Sequence, residues 1–304
     1  VRVSELGHAG LRRRLSADGL LLATGPFVTR IRSRIPSVAE GINSLYPDCE
    51  VHNADSFYDF DCELRPPRSL RRFYRPQVVF LSDQRVVFKP LPRHQAYPML
   101  EWGMNWCIAS HVQNRLVLHA AALERNGRAL ILPAPPGSGK STLCAALASH
   151  GWRLMTDESV LVALDTAEIS GPARPISLKN ASINVIRDFC PEANVNTPVH
   201  DTLKGTVAHM RPPRDAVERA RQRAPPAWVV FPRFRPGADT RLLDRAPGEA
   251  FMGLVANAFN YAALGGRAFH AIGDLVDRTR AFDFTYSRLD EAMATFEALA
   301  DGRQ

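Results

Sequence analysis

Ala134-Pro-Pro-Gly-Ser-Gly-Lys-Ser141 stands between an apolar run ending Ile131-Leu-Pro and an apolar, Ala-rich segment. The stretch fits the phosphate-loop pattern once its first position is allowed to be Ala rather than Gly. The chemistry explains the spacing. A strand ends, the chain turns tightly on Gly137 and Gly139, and successive backbone N–H groups point inward at a polyphosphate. Lys140 can then reach the β- and γ-phosphates, and the Ser141 hydroxyl can hold Mg²⁺. Pro136, Ser138 and Thr142 complete the expected cradle. A Pro/Gly turn before an ordinary helix is the plainer alternative. The complete G-x-G-K-S-T in a strand–loop–helix setting argues against it, and nucleotide or pyrophosphate binding is the expectation.

Outward from this loop, Leu116–Glu124 and Arg128–Pro133 read as two strands joined by Asn126-Gly127, the strongest short hairpin signal. The strand feeding the loop is therefore antiparallel to its predecessor, unlike the common parallel nucleotide-binding sheet. A helix follows from Ser141 to His150, with Gly151 as its cap. Arg153–Met155 and Val160–Leu164 read as short strands around Thr156-Asp157-Glu158, whose carboxylates lie 17 and 18 residues beyond Lys140. A strand returning beside the loop would bring that turn near a γ-phosphate. One carboxylate could accept a hydroxyl proton and the other support a metal; a solvated turn is the bland alternative. His119 lies within an otherwise apolar strand, where core packing and phosphate contact are both open.

The flanks carry less chemistry. Residues 1–15 read as a polar, helical or frayed lead-in, Leu20–Arg32 as strand–turn–strand, and Ser37–Leu45 as a helix capped by Ser37. Phe57–Leu64 suits an edge strand, and Gln77–Phe80 and Arg85–Lys89 two more. A small α+β unit is expected over residues 1–95, with the main domain over 96–304. Gln95–Gln113 reads as a buried helix. Residues 167–214, rich in Pro, Asn, Gly and Thr, read as loops. Asp215–Arg223 reads as a charged helix, Trp228–Phe231 as a strand and Gly248–Leu264 as a helix. Phe282–Tyr286 reads as a strand, and Ser287 as the cap of a final helix.

Composition sets the class. Of 304 residues, 45% are hydrophobic and 23% charged, as in soluble globular proteins. No run approaches the 18 or so apolar residues of a membrane span. The start, Val1-Arg-Val-Ser-Glu, lacks the apolar core of a signal peptide, so a cytoplasmic location is the default. Five scattered cysteines without C-x-x-C spacing argue against a disulfide framework or a zinc site. The net charge is +7, and only four of the 38 basic residues are Lys: Lys89, Lys140, Lys179 and Lys204. Arg68–Arg75 encloses Phe73 and Tyr74 but falls short of a nucleic-acid-binding pattern, so no nucleic-acid partner is expected. Three of the lysines lie between residues 140 and 204, where a compact ammonium suits a phosphate.

Taken together, these residues resemble the HPr kinase/phosphorylase family and its relatives, which share a catalytic core with phosphoenolpyruvate carboxykinase. The resemblance runs over roughly residues 105–290. It rests on Val117-Leu-His-Ala, the Asn-Gly hairpin, Pro136-Gly-Ser-Gly-Lys-Ser-Thr142 and Gly151-Trp-Arg-Leu-Met-Thr-Asp-Glu158. Pro232-Arg-Phe-Arg-Pro-Gly237 and Ala256-Asn-Ala-Phe-Asn-Tyr261 extend it. It implies an α/β fold: a P-loop kinase core with a mixed sheet, beside the small N-terminal α+β domain. It further implies ATP and Mg²⁺, with Asp157 as general base and Glu158 where the family has a second Asp. His119 would contact phosphates, and Arg233 or Arg235 would stabilise the transferring phosphoryl group. Lys179 and Lys204 are candidates for contacting nucleotide phosphates or an acidic acceptor. The segment after Asp165 lacks the family's long glycine-rich signature and residues 1–95 do not resemble its N-terminal domain, so the acceptor is expected to be a peptide or protein other than HPr. A small-molecule acceptor and a non-catalytic nucleotide-binding module are the alternatives. Family members form oligomers, so a homo-oligomer is implied, though no pattern in this chain demands one.

Overall fold

The computed structural model describes residues 1–135 and 137–303. Pro136, placed in the phosphate cradle by its sequence, lies outside the described residues. The fold is mixed α/β, with four sheets among the described residues. The first contains Leu20–Thr24, Phe27–Ser33, Phe60–Arg65, Gln77–Ser82 and Arg85–Val86 in that order, with Leu91–Pro92 against Gln77–Ser82. Phe27–Ser33 buries every second residue, the period-two signature of a strand with one covered face. Phe60–Arg65 is not the edge strand its aromatic–acidic alternation suggested. It lies between Phe27–Ser33, to which it is parallel, and Gln77–Ser82. Its acid is tolerated there because Asp61 accepts hydrogen bonds from Arg30 and Arg32, at 2.7 and 2.9 Å, on the neighbouring strand.

Helices Val3–Ser16, Pro36–Leu45 and Ala96–His111 share the core of this sheet. Pro36 occupies the first helical position and Ile35 precedes it, so Ser37 is not the cap; proline fits there because its missing N–H has no helical partner. Met99, Leu100, Met104 and Ile108 pack in the same core as Leu64 and Phe80. That core thus runs through Ala96–His111, past the division expected after residue 95.

The second sheet runs Arg153–Thr156, Ala120–Arg125, Arg128–Pro133, Pro226–Phe234, Arg280–Tyr286, Arg241–Asp244. The Asn-Gly hairpin is antiparallel as expected, with Asn126 and Gly127 both at positive φ. Arg128–Pro133 and Arg280–Tyr286 are both parallel to Pro226–Phe234, so the sheet is mixed. The expected strand Leu116–Glu124 breaks at His119. Arg115–Leu118 pairs with Val160–Ala163 in a separate sheet, whereas Ala120–Arg125 stays in the second. The turn after Arg153–Thr156 changes sheets in the same way, because Val160–Ala163 pairs with Arg115–Leu118 rather than turning back. His119 and Asp157–Ser159 therefore lie at two crossings between the same pair of sheets.

Residues 167–214 are more ordered than their composition suggests. Ile176–Lys179, Gly205–Met210 and Val199–Thr202 form a sheet flanked by helix Ala181–Phe189; Ile176, Leu178, Val207, Ala208 and Met210 are buried. Only Arg214–Glu218 of the next charged stretch is helical. The helix expected over Gly248–Leu264 stops at Ala256. Phe259 N there donates to Val117 O at 2.9 Å, and Asn260 Oδ1 accepts from Val117 N at 3.0 Å. Helices Tyr261–Leu264 and Gly266–Asp277 follow. Ser287 does not cap the last helix, Leu289–Ala300; its hydroxyl donates to Ala238 O at 2.8 Å. No helix among the described residues is long and apolar enough to cross a membrane.

The seat of Ala96–His111 on the first sheet gives a direct test. A Cβ on Gly103 would lie 2.1 Å from Phe80 Cε2. Gly103→Ala must move the ring or the helix, overpacking that costs about 1–3 kcal/mol. Thermal unfolding should show a lowered Tm, and an unchanged Tm would contradict this packing.

Candidate active site

Strand Arg128–Pro133 delivers the chain into the loop, and helix Lys140–Ser149 begins where the loop ends. Gly137 and Gly139 both have φ of +86°, a conformation glycine adopts without steric cost. At Gly139 there is a second reason: a Cβ would meet Tyr286 Oη at 2.5 Å and Phe234 Cβ at 2.9 Å. Tyr286 Oη donates to Gly139 O at 3.1 Å, and Phe234 N donates to Ser138 O at 2.9 Å. These bonds lay the end of Pro226–Phe234 directly along the loop. Arg233 and Arg235 flank Phe234 and are exposed, and Arg235 N donates to Tyr286 O at 2.9 Å. Both candidate arginines thus sit one residue from the loop's backbone contact. Ser141 and Thr142 open the helix and are partly exposed.

Lys140 is buried, and its Nζ donates to the backbone carbonyl of Asp157 and lies 3.6 Å from Asp157 Oδ1. Burial works against the ammonium, but the charges of Asp157 and Glu158 outweigh it and hold its pKa above the ordinary value. Asp157 is buried as well; Oδ2 accepts from Ser177 N at 3.1 Å, while Oδ1 has no hydrogen-bond donor among the described residues. Glu158 turns to a different set of partners. His119 Nε2 is 3.4 Å from its Oε2 and Lys179 Nζ is 4.0 Å from its Oε1. Burial alone would raise this carboxyl. The His119 hydrogen bond and the charges of Lys140 and Lys179 overcome it and hold the pKa well below the usual carboxylate range.

His119 is fixed from the opposite side. Its N–H donates to Asn257 O at 2.7 Å, and its ring lies 5.4 Å from that of Phe259. Lys179 ends strand Ile176–Lys179, and Lys204 sits on the turn before Gly205–Met210, with Nζ 5.2 Å from the Trp102 ring. Crowding by protein lowers the Lys204 pKa; Lys179 and Lys140 add to this and Glu158 opposes it. Three of the chain's four lysines thus act on one carboxylate.

Sequence reasoning missed the other wall of the site. Glu101, Trp102 and Asn105 of helix Ala96–His111, with Arg174, Ser177 and His209, line a pocket against Asp157 and Glu158. Its free volume is about 10 Å³, room for a single water-sized group. Trp102 Nε1, Arg174 Nε, Ser177 Oγ and both His209 ring nitrogens have no hydrogen-bond partner among the described residues. Burial lowers the His209 pKa, favouring the neutral imidazole. These residues span more than a hundred positions and share no motif, so no sequence signal could have grouped them. A larger cavity, about 280 Å³, lies by Gly25 and Glu218 and contains none of the site residues above; Arg2 and Arg221 beside it pair with Glu218 and Glu50.

No protein-family model matches the chain, and no curated protein does. Among solved structures it is similar to the HPr(Ser) kinase/phosphatase from Coxiella burnetii. The identity is 10% and the TM-score 0.28, over 62% of this chain and 95% of that one. The relationship is distant.

The Glu158 contacts set a pH dependence. Its folded pKa lies below that of an unfolded glutamate, about 4.3. The ionised carboxylate therefore adds stability that is fully present above that value and lost as pH falls through the folded one. The stability gap between wild type and Glu158→Gln should narrow on acidification below about pH 5. Denaturant titrations across that range check this; a constant gap would show that the cations around Glu158 contribute nothing to it.

Proposed function

We propose that the chain is a Mg²⁺-dependent kinase that moves the γ-phosphoryl group of ATP to a hydroxyl of a peptide or protein. The observation that carries this reading is the meeting of the phosphate-loop lysine with the paired carboxylates: Lys140 on Asp157, and Glu158 between His119 and Lys179. Phosphoryl transfer asks for a phosphate cradle, cations around the moving group, and a base for the acceptor hydroxyl. Gly137 to Ser141 offer the cradle. Lys140, Lys179, and Arg233 or Arg235 offer the cations.

The two carboxylates suit different tasks. Glu158 is held ionised by three cationic or hydrogen-bonding partners, which makes it a weak proton acceptor and a good electrostatic support. Asp157 keeps Oδ1 free of any donor among the described residues, beside the small pocket. It is the better general base, since a base must reach the proton it takes. Mg²⁺ is bound through one or two carboxylates and substrate phosphates. The Ser141 hydroxyl and Glu158 are donors of that kind; the ion would neutralise phosphate charge.

In this reading Lys140→Ala loses MgATP binding in calorimetric titration. Asp157→Asn keeps that binding and loses transfer from γ-labelled ATP by on the order of 10²–10⁴-fold, the usual contribution of a general base. Normal transfer by Asp157→Asn would remove it as the base. Label appearing only on a metabolite would make the acceptor a small molecule, and MgATP binding without any transfer would leave a nucleotide-binding module.

A further inference from the structure

Residues 66–94 carry Arg68, Arg71, Arg72, Arg75, Arg85, Lys89 and Arg93 against one carboxylate, Asp83. Seven cations less one anion is six of the chain's net +7, so the rest of the protein is close to neutral. All seven cations are exposed. No ion pair involves any residue from 66 to 94 among the described residues. Among them stand three apolar side chains equally out in solvent: Leu70 is 82% exposed, Phe73 76% and Tyr74 68%. The Arg72 and Arg75 guanidiniums lie 5.0 and 5.7 Å from the Phe73 and Tyr74 ring centres. Uncompensated cations interleaved with exposed apolar groups are an interaction surface by both criteria, charge and patch.

This surface runs up to the candidate site. Arg93 N donates to Pro76 O at 2.8 Å, tying the end of the Arg68–Arg75 loop to the turn Arg93–Gln95. Gln95 Nε2 donates to Asp201 O at 2.8 Å, on the hairpin that carries Lys204. Helix Ala96–His111 starts at the same turn and reaches Trp102, under Lys204 and in the wall of the Asp157 pocket. Six residues of helix cover about 9 Å, a distance an extended peptide crosses in about three residues.

We propose that the 66–94 surface docks an acidic segment of the polypeptide acceptor and leads its hydroxyl toward Asp157. This rests on the phosphotransfer reading of the site. Glu and Asp side chains would meet the Arg68–Arg75 guanidiniums, and apolar residues between them Leu70, Phe73 and Tyr74. A nucleic acid would satisfy the charge. The surface, however, ends at a carboxylate suited to receive a hydroxyl proton, and its apolar tips include the aliphatic Leu70, which offers no stacking face for a base.

The test is a titration without nucleotide, so that it reads docking apart from transfer. Fluorescein-labelled peptides of alternating Glu and Ala around one Ser, or of Lys and Ala, and an oligouridylate of equal length are the probes. The acidic peptide should bind tightest, and more weakly as salt rises and screens the charges. The variant R68E/R71E/R72E/R75E should weaken it on the order of tenfold or more, as reversal of several cross-interface charges does. Leu70→Ser with Phe73→Ser should weaken it less, with little change in salt dependence. Far-ultraviolet dichroism and Tm report that both variants fold; all six positions are exposed. Equal binding of acidic and basic peptides, wild-type affinity in the charge-reversed variant, or tighter binding of the oligouridylate would each overturn the proposal. Failure of the wild type to bind MgATP would instead overturn the phosphotransfer reading.

Discussion

A lysine ammonium almost wholly out of water is the constraint on which the site rests. Lys140 sits in the first turn of a helix, where the dipole disfavours a cation, and it is buried as well. An uncompensated ammonium there would cost several kcal/mol, so the fold must bring it an anion. Asp157 supplies both its backbone carbonyl and its carboxylate. That carboxylate is positioned by Ser177 N from a third segment. The Gly137–Gly139 loop, the Asp157 turn and strand Ile176–Lys179 are thereby locked to one another through one charge.

Topology brings those segments close. Two strands leave the second sheet for the neighbouring one, the first at His119 and the other through Asp157–Ser159, and Leu118 then pairs with Val160. The paired crossings set the His119 ring against Glu158 without any local sequence relation between them. Behind the turn the backbones are stacked without room for side chains. A Cβ on Gly171 would meet Met155 O at 2.5 Å, and one on Gly25 would meet Gly171 O at 2.4 Å. The first hairpin of the N-terminal sheet thus buttresses the strand that leads into the Asp157 turn. Glu101 makes a second link, accepting from Tyr46 and Tyr97 hydroxyls at 2.7 and 2.6 Å and facing Arg174 at 3.6 Å. The N-terminal elements, which read as a unit without chemistry, pack behind the helix that forms one wall of the site.

What could be read from the sequence was what local chemistry dictates. Gly137, Gly139 and Lys140 announce their own geometry, and Asn126-Gly127 can hardly be anything but a tight turn. The Asp157-Glu158 pair was legible as carboxylates on a turn. Its relation to His119 was not, because a strand that changes sheets looks like one continuous apolar run from Leu116 to Glu124. Ser37 and Ser287 have the right residue type for caps, but Pro36 and a tertiary acceptor, Ala238 O, took precedence. Residues 167–214 looked like loops because their Pro and Gly content masks an alternating apolar pattern in two short strands. The charge surface escaped for another reason. Counting arginines shows them spread along the chain, whereas the asymmetry lies in where carboxylates are missing.

The site also separates two carboxylates that the sequence makes neighbours. Asp157 and Glu158 lie in the bend between strands that pair in different sheets, so one residue of offset is enough to give them different surroundings. Asp157 faces a buried ammonium and a backbone N–H; Glu158 faces an imidazole and a partly exposed ammonium. The cations gathered on Glu158 hold it ionised in spite of burial, and every one of them is drawn from a different segment of the chain. That difference in surroundings comes from the crossing of two sheets and the placement of three lysines, with no need for the carboxylates to differ in kind or to lie apart.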